Sequence, residues 1–165
     1  MSQLGQFGLT LAFATTIYAI GASLIGIRLK NDPLIASGRN AGVAVFVSLT
    51  VAFGTLFYLF MVSDFTVAYV VSTSNRALPF FYKIASIWGG QEGSLLLWGW
   101  ILSLYAALVF IQNRNRHTAM MPYVVAVMMG GSLFFTSLSL FVVNPFNELV
   151  AVQADGTMLA FAADD

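Results

Sequence analysis

Long stretches of this chain carry no charge at all. Four runs, Met1–Ile27, Asn40–Ser63, Gly93–Asn113 and Thr118–Asn147, hold no acidic or basic side chain. Each is long enough for a helix to cross a bilayer, which takes about 20 apolar residues. A charge near the centre of such a helix costs several kcal/mol. The pattern predicts an all-α, polytopic helical membrane protein: a single four-helix unit over 1–165, with spans at about 5–27, 41–62, 92–112 and 120–143. Composition agrees. Only 8% of the 165 residues are charged and the mean hydropathy is +0.84, where a soluble domain carries roughly 25% charged residues.

The first span does not read as a cleavable signal peptide, because it lacks a basic leader, runs too long, and is followed by Arg28 and Lys30. No cysteine is present, so disulfides, cysteine-held metals and thiol chemistry are excluded on this chain. Net charge is zero, and nothing points to nucleic acid.

Charge placement orients the bundle. The connection after the first span holds Arg28, Lys30 and Arg39, and the one after the third holds Arg114, Arg116 and His117. The connection at 63–91 holds Arg76 and Lys83 against Asp64, with Glu92 at its far edge, and the tail at 144–165 holds only acids, Glu148, Asp155, Asp164 and Asp165. By the positive-inside rule the short basic loops are cytoplasmic. Both termini, the long loop and the tail then lie outside. That loop is longer than a mere connector needs to be. Within it, "SDFTVAYVVSTSN" is too short to span. "LPFFYKIASIW" has the aromatic, sparsely charged composition of a segment lying among lipid headgroups, with Pro79 at its start.

Small residues recur inside the spans. Ala22 and Gly26, Gly99 and Ser103, and the Gly130–Ser132 stretch are read as packing devices that let helix backbones approach closely.

The densest signal is "WGGQEGSLLLWGW", Trp88 to Trp100. In structural terms, Gly89 and Gly90 let the chain turn, Glu92 sits favourably at the positive end of a helix, and Trp88 joins the interfacial aromatic belt. Two features go beyond that. Trp98 and Trp100 lie on the order of 10 Å below the helix start, where their indole N–H groups need partners. Glu92 stands at the membrane edge, where it could pair with Lys83 or Arg76 or hold a polar ligand. Together these features suit a flat, apolar ligand near the outer surface. Spacing alone does not name it.

The order and spacing of "DFTVAYV" (Asp64–Val70), Ser74–Asn75, Leu78–Pro79, "YKIA" (Tyr82–Ala85), "WGGQEGSLLLW" (Trp88–Trp98) and "NPF" (Asn144–Phe146) resemble the CcmF family of cytochrome c-type biogenesis proteins. The shared string comprises Trp88, Gly89, Gly90, Glu92, Gly93, Ser94, Leu95, Leu96, Leu97 and Trp98, together with Asp64 and Phe65. The nitrite-reductase-associated haem lyase subunits carry a similar motif. The resemblance covers nearly the whole chain but only the N-terminal part of the family. It implies one part of a cytochrome c haem lyase, the membrane subunit that joins haem vinyl groups to the thiols of apocytochrome c. It further implies a b-type haem whose ligands lie on the remaining C-terminal part. Implied partners are that part, an external haem chaperone, apocytochrome c and other maturation subunits. The membrane is a bacterial inner membrane or a mitochondrial inner membrane.

On this expectation Trp88, Glu92, Trp98, Tyr82 and Lys83 shape a haem and apocytochrome surface, with no catalytic residue and no metal ligand on this chain. His117 is read as a solvated loop residue. Two other classes remain: a four-helix scaffold or assembly subunit without cofactor, and a transporter component, for which the Gly130–Gly131 pair would be the one candidate helix break.

Overall fold

The computed structural model describes residues 1–63, 67–73, 79–114 and 119–147, and the backbone of two short strands at 150–152 and 158–160. Asp64, Phe65, Ser74, Asn75, Arg76, Leu78, Arg116, His117, Glu148, Asp155, Asp164 and Asp165 lie outside the described residues.

Four long helices carry the architecture: α1 (Ser2–Leu29), α2 (Asp32–Val62), α5 (Gln91–Gln112) and α6 (Met121–Ser137). The last continues as a π-helical turn, Leu138–Val142, closed by the Val143 N–H on the Leu138 carbonyl at 2.9 Å. All four are long and apolar enough to cross a membrane. Two short helices, α3 (Ala68–Thr73) and α4 (Phe80–Ser86), fill the connection between α2 and α5. In the tail, β1 (Val150–Val152) pairs antiparallel with β2 (Met158–Ala160), a small hairpin that the uncharged-run pattern does not signal.

The helices pack as a ring in the order α1, α2, α5, α6, with α6 returning to α1. Leu9, Val45, Leu49, Leu56, Phe60, Leu96, Phe110 and Met129 are buried between them. With lipid outside as apolar as the core, close backbone approach rather than water exclusion holds such helices together. A Cβ on Gly8 would press on the Ser48 carbonyl at 3.0 Å, and one on Gly38 would meet the Ala19 carbonyl at 3.0 Å, so α1 and α2 touch backbone to backbone. Gly99 lies against Phe135, and Gly131 against Leu102. Of the small-residue readings, Gly26 faces Ile35 across the α1–α2 corner, and Gly99 and Ser103 are buried in α5. Gly130–Gly131 does not break α6; the irregular turn comes later, at Leu138–Val142.

Threonine hydroxyls inside the spans bond their own helix. Thr16 donates to the Ala12 carbonyl at 2.6 Å, Thr50 to Phe46 at 2.7 Å and Thr55 to Val51 at 2.7 Å. This satisfies groups that would otherwise face hydrocarbon.

α2 begins at Asp32, inside the stretch read as a loop. Asn31 caps it by accepting from the Leu34 N–H at 3.1 Å, Asp32 stands in its first turn, and Pro33 suits that turn. Lack of charge marks the part of a helix that lipid surrounds. Capping marks where the helix begins, and here the two differ by several residues. Arg39 consequently lies on α2, donating to the Arg114 carbonyl at 3.0 Å, so the two basic corners meet at one end of the bundle.

Candidate functional site

The opposite end holds the Trp88–Trp98 string and is built around a residue that sequence reasoning passed over. α3 enters the mouth of the bundle with Val67, Tyr69 and Val70 buried. The Tyr69 ring packs edge-on against Phe60 of α2, centroids 5.3 Å apart. Its hydroxyl donates to the Ile87 carbonyl at 2.8 Å and accepts from the Gly90 N–H at 3.2 Å. Tyr69 is only 3% exposed and thus fastens α3 to the turn that launches α5.

This contact explains the glycines. None of those in the turn adopts a positive φ, and Gly90 is extended at φ −109°. They are small because space is short. A Cβ on Gly90 would lie 2.6 Å from the Tyr69 ring, and one on Gly93 would overlap the Ile87 carbonyl oxygen and stand 2.6 Å from the Tyr69 hydroxyl. Gly89 differs, since a Cβ there would find ordinary contacts at 3.5 Å and beyond. Ser94 completes the corner, its hydroxyl lying 2.8 Å from both the Trp88 and Gly90 carbonyls. Buried Ile87 and Leu96 seat the turn on the bundle.

Electrostatically the corner is mild. Burial pushes the Tyr69 hydroxyl above its ordinary value of 10.0; the Gly90 and Gly93 backbone N–H groups oppose this, and the nearby Glu92 carboxylate adds to it. Glu92 is half-buried in the first turn of α5. Lys83 does not pair with it. Its ammonium donates instead to the Ser63 hydroxyl at 2.7 Å, tying α4 to the left-handed C-cap of α2.

Of the residues singled out from sequence, Trp88, 46% exposed, and Glu92 lie at this corner, while Tyr82, 64% exposed, lies on α4. Pro79 does stand at the start of α4. Trp98 is not brought to them. The helix starts at Gln91, so Trp88 precedes it, and Trp98 lies two turns along α5 on an outward face, 59% exposed. Trp100 points the other way. It stacks on Phe53 with centroids 5.4 Å apart and donates its indole N–H to Thr50 at 3.0 Å, which meets the need for a partner at that depth.

The "NPF" segment closes the same end. The Asn144 amide donates to Gln6 at 2.8 Å and its oxygen accepts from the Phe146 N–H at 2.9 Å. The Phe146 ring covers Gly5, and the Asn147 carbonyl accepts from the Ala68 N–H at 3.0 Å. Beside it a shallow cavity of about 560 Å³ is lined by Gln3, Gln6, Thr10 and Asn144. Among the described residues no cluster of His, Cys, Asp and Glu could hold a metal ion.

Fold and site together define a four-span helical membrane protein whose one end is sealed by a tyrosine-pinned glycine turn. No protein-family model matches it. Individual relatives do. The chain is 36% identical over 148 residues to the cytochrome c-type biogenesis protein CcmF of Haemophilus influenzae, covering 90% of this chain and 23% of that protein. It is 34% identical over 160 residues to the cytochrome c-type biogenesis protein NrfE of the same organism, covering 94% and 25%. A solved structure described as cytochrome c heme lyase CcmF superposes with a TM-score of 0.80 at 28% identity, over 88% of this chain and 24% of that one. The chain is therefore similar to part of the CcmF group of cytochrome c-type biogenesis proteins, and spans about a quarter of the length of the relatives it matches.

Proposed function

We propose that this chain is the N-terminal part of a cytochrome c haem lyase subunit, taking part in the covalent attachment of haem to apocytochrome c. The observation that carries this is the agreement of nearly the whole chain, in sequence and in fold, with proteins of that description. The remaining part of the lyase, a haem chaperone, apocytochrome c and further maturation subunits are its partners in this reading. The membrane is the bacterial inner membrane or its mitochondrial counterpart. Arg28, Lys30, Arg39 and Arg114 gather at one end of the bundle and Lys83 and Glu92 at the other. The basic end is cytoplasmic by the positive-inside rule, which leaves the Tyr69 corner facing outward.

Haem is the group that this reading implies, in b-type form. The described residues include neither histidine nor cysteine. In this reading the ligands are supplied by the rest of the lyase, and no step is routed through this chain. What the chain offers at that end is two exposed aromatic side chains, Tyr82 on α4 and Trp88 in the turn before α5, with half-buried Glu92 in the first turn of α5 and Lys83 held by Ser63. Such side chains suit contact with a planar ligand or with the apocytochrome.

The test is haem attachment by the purified complex carrying Trp88→Ala or Glu92→Ala, alongside masses of the co-purifying chains and a reduced-minus-oxidised haem spectrum. Lowered attachment with unchanged co-purification supports the surface role; full attachment by both variants removes it. A scaffold role is the second reading, favoured because Tyr69 gives the motif glycines a purely structural reason to be small. It predicts haem-free chains and loop variants whose effects track stability alone.

A further inference from the structure

α5 faces two neighbours, α2 and α6, and turns a third side outward. Along that side stand Gln91, Trp98, Tyr105 and Gln112, seven residues apart and all exposed. Each can form hydrogen bonds. The two glutamines lie at the helix ends, where headgroups and water reach them. The inner pair does not. In a helix of 22 residues, Trp98 and Tyr105 each sit seven residues from an end, about 10 Å in at 1.5 Å per residue. They are 59% and 61% exposed, and neither the indole N–H nor the phenol has a hydrogen-bond partner among the described residues.

Other polar aromatics in the spans are placed differently. Tyr58 and Tyr123 lie within about a turn of a helix end, at the depth of the interfacial belt. Tyr18 bonds to Ser37 at 2.8 Å, and Trp100 bonds to Thr50. Exposed side chains elsewhere along the spans are mostly Leu, Ile, Val and Phe, which need nothing from lipid. A stripe at seven-residue spacing keeps to one side of a helix, with the period at which left-handed helix pairs meet. In hydrocarbon such groups are met by another helix rather than by lipid.

We propose that the Gln91–Trp98–Tyr105–Gln112 face of α5 is the docking surface for a transmembrane helix of the remaining portion of the haem lyase, one that presents hydrogen-bonding side chains at matching seven-residue spacing. This rests on the reading of the chain as one part of that subunit. The relatives supply the occupant: about three quarters of their length lies outside the portion matched here, so the partner helix has a source.

The test uses the full chain in its own membrane. A photo-crosslinking residue replaces Leu108, an apolar neighbour on the same face, with controls at Val127 of α6 and Ile25 of α1, both exposed. Crosslinked peptides are then identified by mass. The expected product joins position 108 to an intramembrane segment of the remaining lyase portion, while the controls give mainly lipid adducts. Trp98→Phe with Tyr105→Phe keeps the rings and removes the polar handles. It should lower the yield at 108 by about threefold to twentyfold per contact, with α5 still helical by circular dichroism. Lipid adducts or a second copy at 108 overturn the docking surface. So does crosslinking of the lyase portion from Val127 or Ile25 rather than from 108, which would leave the functional reading standing. If no remaining portion co-purifies at all, that reading falls and the docking surface falls with it.

Discussion

Gly93→Ala and Gly89→Ala make a paired experiment on one short turn. Helix propensity favours alanine over glycine at position 93, in the first turn of α5, by about 1 kcal/mol. Sterics reverse the sign. The added methyl would overlap the Ile87 carbonyl oxygen and crowd the Tyr69 hydroxyl, the two atoms joined by the 2.8 Å hydrogen bond that fastens α3. Forcing a methyl into packed space costs about 1–3 kcal/mol. Separating a buried hydroxyl from its acceptor adds about 1–3 kcal/mol. Set against the propensity gain, the net is a loss of roughly 3 kcal/mol.

At Gly89 the same change meets only ordinary contacts at 3.5 Å and beyond, in a backbone without positive φ. It should be neutral, or stabilise by about 0.4–1 kcal/mol through the unfolded chain. Thermal melts in one detergent would read the difference. For a chain of this size roughly 2–4 °C accompany each kcal/mol, so Gly93→Ala should melt about 6–12 °C lower. Gly89→Ala should melt level with the parent or up to about 4 °C higher. Equal melting of Gly93→Ala and the parent would refute the close approach of α5 to the Ile87 carbonyl.

Tyr69→Phe keeps the ring on Phe60 and loses the hydroxyl, so it should cost about 1–3 kcal/mol in the same melts. It should also flatten the alkaline limb. The folded state holds this proton more tightly than the unfolded chain, so its contribution is complete below the ordinary value of 10.0 and is lost as pH rises through the raised folded value. A parent and a variant with the same alkaline profile would count against a buried, bonded Tyr69. Trp100→Phe removes the bond to Thr50 and part of the stack on Phe53, and should destabilise the chain by about 1–2 kcal/mol, whereas Trp98→Phe on the outward face should change its melting little. Asn144→Ala breaks the bond to Gln6 and the cap on the Phe146 N–H. Hydrogen exchange should then speed up in the first turn of α1 and at Ala68; unchanged exchange at both sites would mean the segment does not clamp them.

The spans were legible because lipid imposes one coarse demand, a long run without charge, and the chain meets it four times. The helix starts were less so. Asn31, Asp32 and Pro33 begin α2 before the uncharged run does, a capping signal overridden by reading the basic stretch as loop. At the site, the motif drew attention to the right turn for an incomplete reason. Its tryptophans and glutamate stand out by type, yet the residue that organises it, Tyr69, lies in α3 and is separated from Gly90 by 21 positions. No local periodicity connects the two. That Gly90 and Gly93 are small for want of space, rather than to reach positive φ, is visible only once Tyr69 is placed against them.

The division of labour on α5 follows from this. Gly93, Leu96, Gly99, Ser103 and Phe110 are buried, on the side that packs into the bundle. Gln91, Trp98 and Tyr105 lie on the side that does not. The string from Trp88 to Trp98 therefore does not form a single surface. Its first half is fixed by Tyr69 at the corner, and its last residue stands on the outward face of α5 two helical turns along. A substitution at Gly93 disturbs both, because the turn sets the rotation with which α5 leaves the corner and so where that face points. Were the motif one ligand-binding patch, Trp88→Ala and Trp98→Ala would lower the same activity in the same way. With two surfaces they should separate, Trp88→Ala acting on haem attachment with the complex intact, and Trp98→Ala on retention of the partner helix. An assay that scores attachment and co-purification in the same preparations distinguishes these outcomes directly.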